Sequence, residues 1–482
     1  MCIYDPKRAH AMHRREFLQT LGGSALGARV GLLGALAGAA SETAAPGPEA
    51  PKRDVPEVRV VFVKPKEKYW LGWPGTAFDV EGHINDYVAK LRRFEKEVGV
   101  KLIISETPLY NDDDVAAFVN EAKATLPDAV IVFPLHMDRW GHVDTIAKAG
   151  FPTIIFAGLG VCFTGHIQEM AKRPKVYLIS TADFDLEAVK YGLKMVKTHQ
   201  NMKDLRILNI RGNETAERKV ELLDSTVNFI PRKAFPDEFN RTDDTDEVKA
   251  IAEDYRKRAE KIVEPSNRDI LNAAKCYVVA KKLMAEHGCN AITMDCLGLV
   301  AERQLPTPPC LGWSKLLDEG ISAACEAVVD ASLAFTLVSN LLDRPGFMQD
   351  PVPETEKNTF IGAHCTSPTR LNGLNAEPEP FILRSHSESD IGVSMQILWK
   401  PEQEVTIMQF AGPKRMIVGS GKVVRNLDTP PAGGCRTSVE LLIDGPPDTR
   451  DTEGFHQLFL YGNHVRKLKA YCQMYGIVAE HI

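Results

Sequence analysis

No Cys-x-x-Cys pair occurs anywhere in the 482 residues, which excludes a zinc ribbon. There is no P-loop and no Gly-x-Ser-x-Gly elbow. Gly158-Leu159-Gly160 follows an apolar run, but the next glycine stands at 165 and no acidic residue follows at a convincing distance. A dinucleotide fingerprint is therefore weakly supported. No block of basic residues is present and the formal charge is −6, which argues against nucleic acid as a partner. Beyond the first fifty residues no apolar run is long enough to cross a bilayer, so no stable membrane span is expected after processing. Ten cysteines are present; one is Cys2, which leaves an odd nine, several inside apolar runs. Buried free thiols fit that pattern better than a disulfide framework.

The first segment does not read as part of the fold. His13-Arg14-Arg15-Glu16-Phe17-Leu18 is a twin-arginine box, followed by an Ala/Gly/Leu-rich run from Leu21 to Ala40. Small residues at 37–40 offer a cleavage site, and Ala44-Ala45-Pro46-Gly47-Pro48 reads as a spacer. A plain anchor is the weaker reading, because Arg29 and repeated glycines make a poor spanning helix. Residues 1–50 are thus expected to be a twin-arginine signal and spacer, and the mature protein to be periplasmic or extracellular.

The rest divides into three stretches. From 55 to 172 continuously apolar runs alternate with helical spacing: Val58–Val63, Lys101–Ile104, Asp128–Phe133 and Pro152–Phe156 as strands, His83–Glu97 and Asn111–Thr125 as helices. Such strands imply a parallel sheet covered on both faces. The pattern restarts over 173–345, with strands at Val176–Ser180, Leu205–Ile210 and Ala291–Met294 and charged helices near Asp244–Val263 and Ser266–His287. Lys315–Leu342 reads as one long apolar helix. From 346 to 482 proline and glycine become frequent and short β-type runs appear, the mark of an antiparallel, barrel-like region. The expected fold class is α/β: two consecutive Rossmann-like units, then a C-terminal antiparallel β-barrel-like domain.

Acidic and imidazole groups gather late in the chain. Glu326 and Asp330 stand four apart in the expected apolar helix, where a carboxylate is costly unless an ion, a substrate or a salt bridge to a Lys or Arg from elsewhere compensates it. Asp350 follows the Pro345-Gly346 break, His364 ends a strand-like run, and His456 lies near the C-terminus. Two carboxylates with two imidazoles suit Mn²⁺, Co²⁺ or Mg²⁺.

The run Cys325-Glu326…Phe347-Met348-Gln349-Asp350…Gly362-Ala363-His364…His456 resembles the L-fucose isomerase / L-arabinose isomerase superfamily. The layout of two α/β domains and a barrel is similar too, and Val405-Thr406-Ile407-Met408 resembles the family's barrel strand. The resemblance implies a metal-dependent aldose–ketose isomerase acting on a monosaccharide, with Mn²⁺ as the favoured ion and a homo-oligomeric assembly. It implies Glu326 and Asp350 as metal ligands and acid/base pair, His456 as a ligand, and His364 as a fourth ligand. The arabinose branch carries Glu-Asp where this chain has Gln349-Asp350; the fucose branch has a single Asp, and the spacing from Glu326 fits Asp350. Aromatic positions after that acid are replaced by Pro351-Val352-Pro353, so substrate preference is expected to differ.

In that chemistry a proton moves between C1 and C2 through an ene-diol, one carboxylate removing it and another returning it. His386, in the polar loop Arg384–Asp390, is a candidate contact for a sugar hydroxyl. Asp295-Cys296 ends a strand of the second α/β unit, where ligands commonly lie. Trp70, Trp73 and Trp140 could stack on a sugar or pack in a core. Two other functions share these features: an exported sugar-binding protein without turnover, and another metal-assisted carbohydrate enzyme such as an epimerase.

Overall fold

A computed structural model of the protein describes residues 54–67, 79–427, 434–445 and 448–482. Residues 1–50, where the export signal is expected, and Trp70 and Trp73 lie outside the described residues. Among the described residues no helix is long and apolar enough to cross a membrane.

The molecule is α/β, with parallel Rossmann-like sheets and a closed six-stranded antiparallel barrel near the C-terminus. The first sheet contains β1 (Glu57–Val63), β2 (Lys101–Ile104), β3 (Ala129–Pro134), β4 (Thr153–Gly158) and β5 (Val176–Thr181). All neighbours are parallel, in the order β2-β1-β3-β4-β5. Successive side chains on a strand point to opposite faces. Val60, Phe62, Ile131 and Phe133 accordingly join one apolar cluster, and Val61, Val63, Val130 and Val132 another. Both faces are covered, which is why these strands read as unbroken apolar runs.

β5 departs from the expected division. It was grouped by sequence with the second unit, yet it pairs residue by residue with β4 and closes the first sheet. Periodicity shows that a strand is present but not which sheet it joins.

The second sheet holds β6 (Arg206–Ile210), β7 (Ala216–Lys219), β8 (Thr226–Ile230), then, after the short β9 (Lys261–Ile262), β10 (Ala291–Met294) and β11 (Ala323–Cys325). Its order is β11-β10-β6-β8-β7, with β7 antiparallel at the edge. The single helix expected over Lys315–Leu342 is not formed. Helix Cys310–Asp318 ends at Gly320, which adopts φ 76°, and β11 then runs parallel to β10 before helix Val329–Leu342 begins. Ala-Ala-Cys is compatible with either period, and β10 supplies the hydrogen-bonding edge that makes it a strand. Glu326 and Asp330 therefore do not share a helix face. Asp330 sits in the first turn of the later helix and accepts a hydrogen bond from the Gly412 backbone N–H at 3.0 Å.

The barrel comprises β12 (Phe347–Glu354), β13 (Thr359–His364), β16 (Glu404–Phe410), β17 (Arg415–Asn426), β18 (Thr437–Asp444) and β19 (Gln457–Tyr461). The order β16-β19-β12-β13-β18-β17 closes by β16–β17 pairing, and β20 (Val478–His481) adds parallel to β17. A separate small sheet pairs β14 (Phe381–Arg384) with β15 (Ser394–Ile397) and with β9. The nine described cysteines are free thiols, six of them buried.

Candidate metal centre

Three side chains from two layers meet at one point. Glu326 follows β11 at the carboxyl edge of the second sheet, the edge at which open α/β sheets commonly bind ligands. It adopts φ 57° and Ala327 φ 58°, two successive non-glycine residues in the left-handed region. The turn is held by Ala327 N–H donating to the Met294 carbonyl at 3.0 Å and by Asn209 Nδ2 donating to the Ala327 carbonyl at 3.2 Å. Asp350 lies on β12 opposite Ala363. His456 directly precedes β19 and adopts φ 59°.

His456 Nε2 stands 3.3 Å from Glu326 Oε2 and 3.2 Å from Asp350 Oδ1, and the three ligand atoms lie within 4.8 Å of one another. The side chains are 8–12% exposed. Ligand atoms about 2.1 Å from a common ion at tetrahedral or octahedral angles are separated by about 3.0–3.4 Å. Those contacts therefore fit a shared divalent cation. The buried Nε2 of His456 faces both carboxylates, the position a ligand nitrogen would take toward an ion shared with them.

Gln349 takes the opposite direction from Asp350, as the strand period requires. Its Nε2 donates to Gln457 Oε1 at 3.0 Å. The space is left by Gly362, where a Cβ would stand 2.3 Å from Phe459 and 3.0 Å from Gln349 Cδ. Asp350, not Gln349, is the acid that joins the cluster.

His364 flanks the cluster, with its Nε2 3.6 Å from Glu326 Oε1. Burial alone would raise the Glu326 carboxyl, but His364 and His456 outweigh it and hold the group well below the usual carboxylate range. Burial opposes charge on His364, and Glu326 outweighs that too, raising the imidazole.

The softer candidates have partners of their own. His386 is buried, with Nδ1 2.9 Å from Ser389 Oγ in its own loop, while Glu388 and Asp390 of that loop are exposed. Asp295 caps helix Cys296–Ala301 through the Gly298 N–H and pairs with Arg232 at 3.1 Å. Trp140 is buried, donates to the Val161 carbonyl at 2.8 Å and stacks on His166. Gly158 is needed for packing, since a Cβ would lie 2.7 Å from the Phe184 ring. Gln349, Gln409 and Gln457, which brace the His456 segment, carry no sequence signal beyond ordinary barrel-strand positions.

The chain matches no protein-family model and no curated protein.

Proposed function

We propose that the protein is a metal-dependent aldose–ketose isomerase acting on a monosaccharide. The observation that carries this reading is the convergence of two carboxylates and one imidazole, Glu326, Asp350 and His456, at the junction of an α/β sheet edge and a barrel. A simple binding protein has no need of two buried carboxylates at one point, because each costs desolvation. Glu326, Asp350 and His456 would hold the ion, with Mn²⁺ favoured and Co²⁺ or Mg²⁺ as alternatives. A bound cation would fix two vicinal sugar oxygens and stabilise the charge that develops on them.

The chain's own groups supply the proton chemistry. Glu326 and Asp350 form the acid/base pair: one takes the proton from the carbon bearing the hydroxyl and the other delivers a proton to the neighbouring carbon, while the hydroxyl proton passes to the carbonyl oxygen. His364, 3.6 Å from Glu326 Oε1, would be a fourth ligand, and its proximity favours the ionised Glu326 carboxylate. Low exposure of all three groups limits water at the reacting carbons. Export by the twin-arginine route and assembly into a homo-oligomer complete the proposal. The route carries folded chains, so the cation can be taken up before transport.

The test is to load the purified protein with Mn²⁺, supply a panel of pentoses, hexoses and deoxyhexoses, and assay for ketose. Product is expected with at least one sugar and is expected to vanish on chelation. Saturable binding of a sugar with no product from any of them would reject turnover and leave a binding protein.

A further inference from the structure

The segment that delivers His456 is gripped from two sides. Gln409 of β16 holds both backbone groups of Phe455: the Phe455 N–H donates to Oε1 at 3.0 Å, and Nε2 donates to the Phe455 carbonyl at 2.6 Å. Gln457 Nε2 donates to the Glu453 carbonyl at 2.7 Å, while its Oε1 accepts from Gln349. Gly454, at φ 106°, lies between the two amides, and a Cβ there would stand 2.3 Å from Gln409 Oε1 and 2.8 Å from Gln457 Nε2. Only glycine lets both glutamines approach so closely.

This grip has an unusual product. The Phe455 ring remains 39% exposed, with its centroid 4.3 Å from that of the His456 imidazole. A phenyl ring in water forgoes the stabilisation of burial. Here it is fixed in that state by a bidentate side-chain clamp, and it rests against a residue of the proposed metal centre. A sugar held by its hydroxyls still presents a face of C–H bonds. An aromatic ring next to the hydroxyl-binding point is complementary to that face.

Building on the isomerase reading, we propose that Phe455 forms a wall of the substrate site, taking the C–H face of the sugar, and that Gln409 is the positioning residue that fixes Phe455 and His456 as one unit. Phe455 then discriminates among sugars by the apolar face they present, while Gln409 sets the alignment of both side chains.

The experiment uses titration calorimetry on the full protein with Mn²⁺ alone, then with xylitol, a polyol that cannot be isomerised, added to the Mn²⁺-loaded form. Phe455→Ala is expected to leave Mn²⁺ affinity within about twofold and to weaken xylitol about tenfold, with Phe455→Trp restoring it. Gln409→Ala is expected to weaken both ligands, and Gln409→Glu, which keeps the acceptor for the Phe455 N–H, to recover part of the Mn²⁺ affinity. Thermal melts check that every variant is folded. Unchanged xylitol affinity in Phe455→Ala, or wild-type protein that binds Mn²⁺ but not xylitol, overturns the substrate wall. Unchanged affinities in folded Gln409→Ala overturn the positioning role. No Mn²⁺ binding by wild type overturns instead the metal reading on which both rest.

Discussion

Mn²⁺ should raise the melting temperature of the protein, and Glu326→Gln should remove that rise. Glu326, Ala327 and His456 each adopt a left-handed conformation that costs an L-residue on the order of 1–3 kcal/mol. The metal-free fold thus carries roughly 3 kcal/mol or more of local strain at this one point. A cation at a hundred times its dissociation constant returns about 2.7 kcal/mol, and at a thousand times about 4.1 kcal/mol. Ligand binding can therefore offset the strain nearly in full. A 1 kcal/mol change shifts Tm by about 2–4 °C in a domain of 150–250 residues, and by roughly half that in a chain twice as large. The expected rise is about 3–6 °C at saturating Mn²⁺, read by scanning calorimetry against a chelated control. Glu326→Gln keeps the shape but offers a neutral amide oxygen, so its rise should fall below about 1 °C. An equal rise in both proteins would show that the ion binds elsewhere and would refute the assignment of the centre.

Further outcomes follow from individual contacts. Asp350→Asn should reduce ketose formation at least about a hundredfold, as loss of a general acid or base does, whereas Gln349→Glu, facing the barrel interior, should act mainly on stability; steady-state kinetics and urea melts separate the two. Gly362→Ala should destabilise by about 1–3 kcal/mol, because the added methyl has Phe459 at 2.3 Å, and urea unfolding measures it. Glu264 joins the barrel side through Arg384, with contacts of 2.8–3.0 Å, and through the Ser385 N–H at 3.1 Å. Burial pushes its carboxyl up, but the Arg384 hydrogen bonds outweigh this and lower it. Its folded pKa lies below the unfolded one, so its contribution is full above about pH 4.3 and is lost as pH falls through the folded value. Glu264→Gln should therefore cost about 1–3 kcal/mol at pH 7 and much less near pH 3, read from unfolding curves at both.

The parts of the fold that were legible in the sequence are those buried on both faces. β3 and β4 are almost wholly apolar, and β1 is apolar from Val60 onward, so all three are recognised without a partner. The strand signal is weaker in β12 and β19. β12 contains Pro351 and Pro353, which weaken any strand signal, and its first half is buried while its second half faces outward. β19 is five residues long, and Gly454 and His456 just before it read as loop. These two strands, paired at Phe347–Phe459 through Gln349–Gln457, are the ones that bring Asp350 next to His456. Each site residue could be nominated from its type and spacing. The direction of Gln349 against Asp350 could not, because a strand's facing depends on register, and the register of β12 is set jointly by the nearby β13 and by the sequence-distant β19.

The mistaken helix over Lys315–Leu342 bears on how the site works. Had it formed, Glu326 would have been one carboxylate on a regular helix, free to choose among rotamers and partners. Instead the chain leaves β11, turns through two left-handed residues, and enters helix Val329–Leu342. The β10 carbonyl at Met294 and the β6 side chain of Asn209 fix that turn. The carboxylate is then aimed by backbone geometry, with little side-chain entropy left to lose on binding. His456 is aimed in the same way, by a left-handed residue before a strand and by glutamines that clamp the preceding residues. An incidental ion pair would not require strain on both sides of the contact. Strain shared by two converging groups from two separate layers is expected where the position of the groups matters more than the stability they cost.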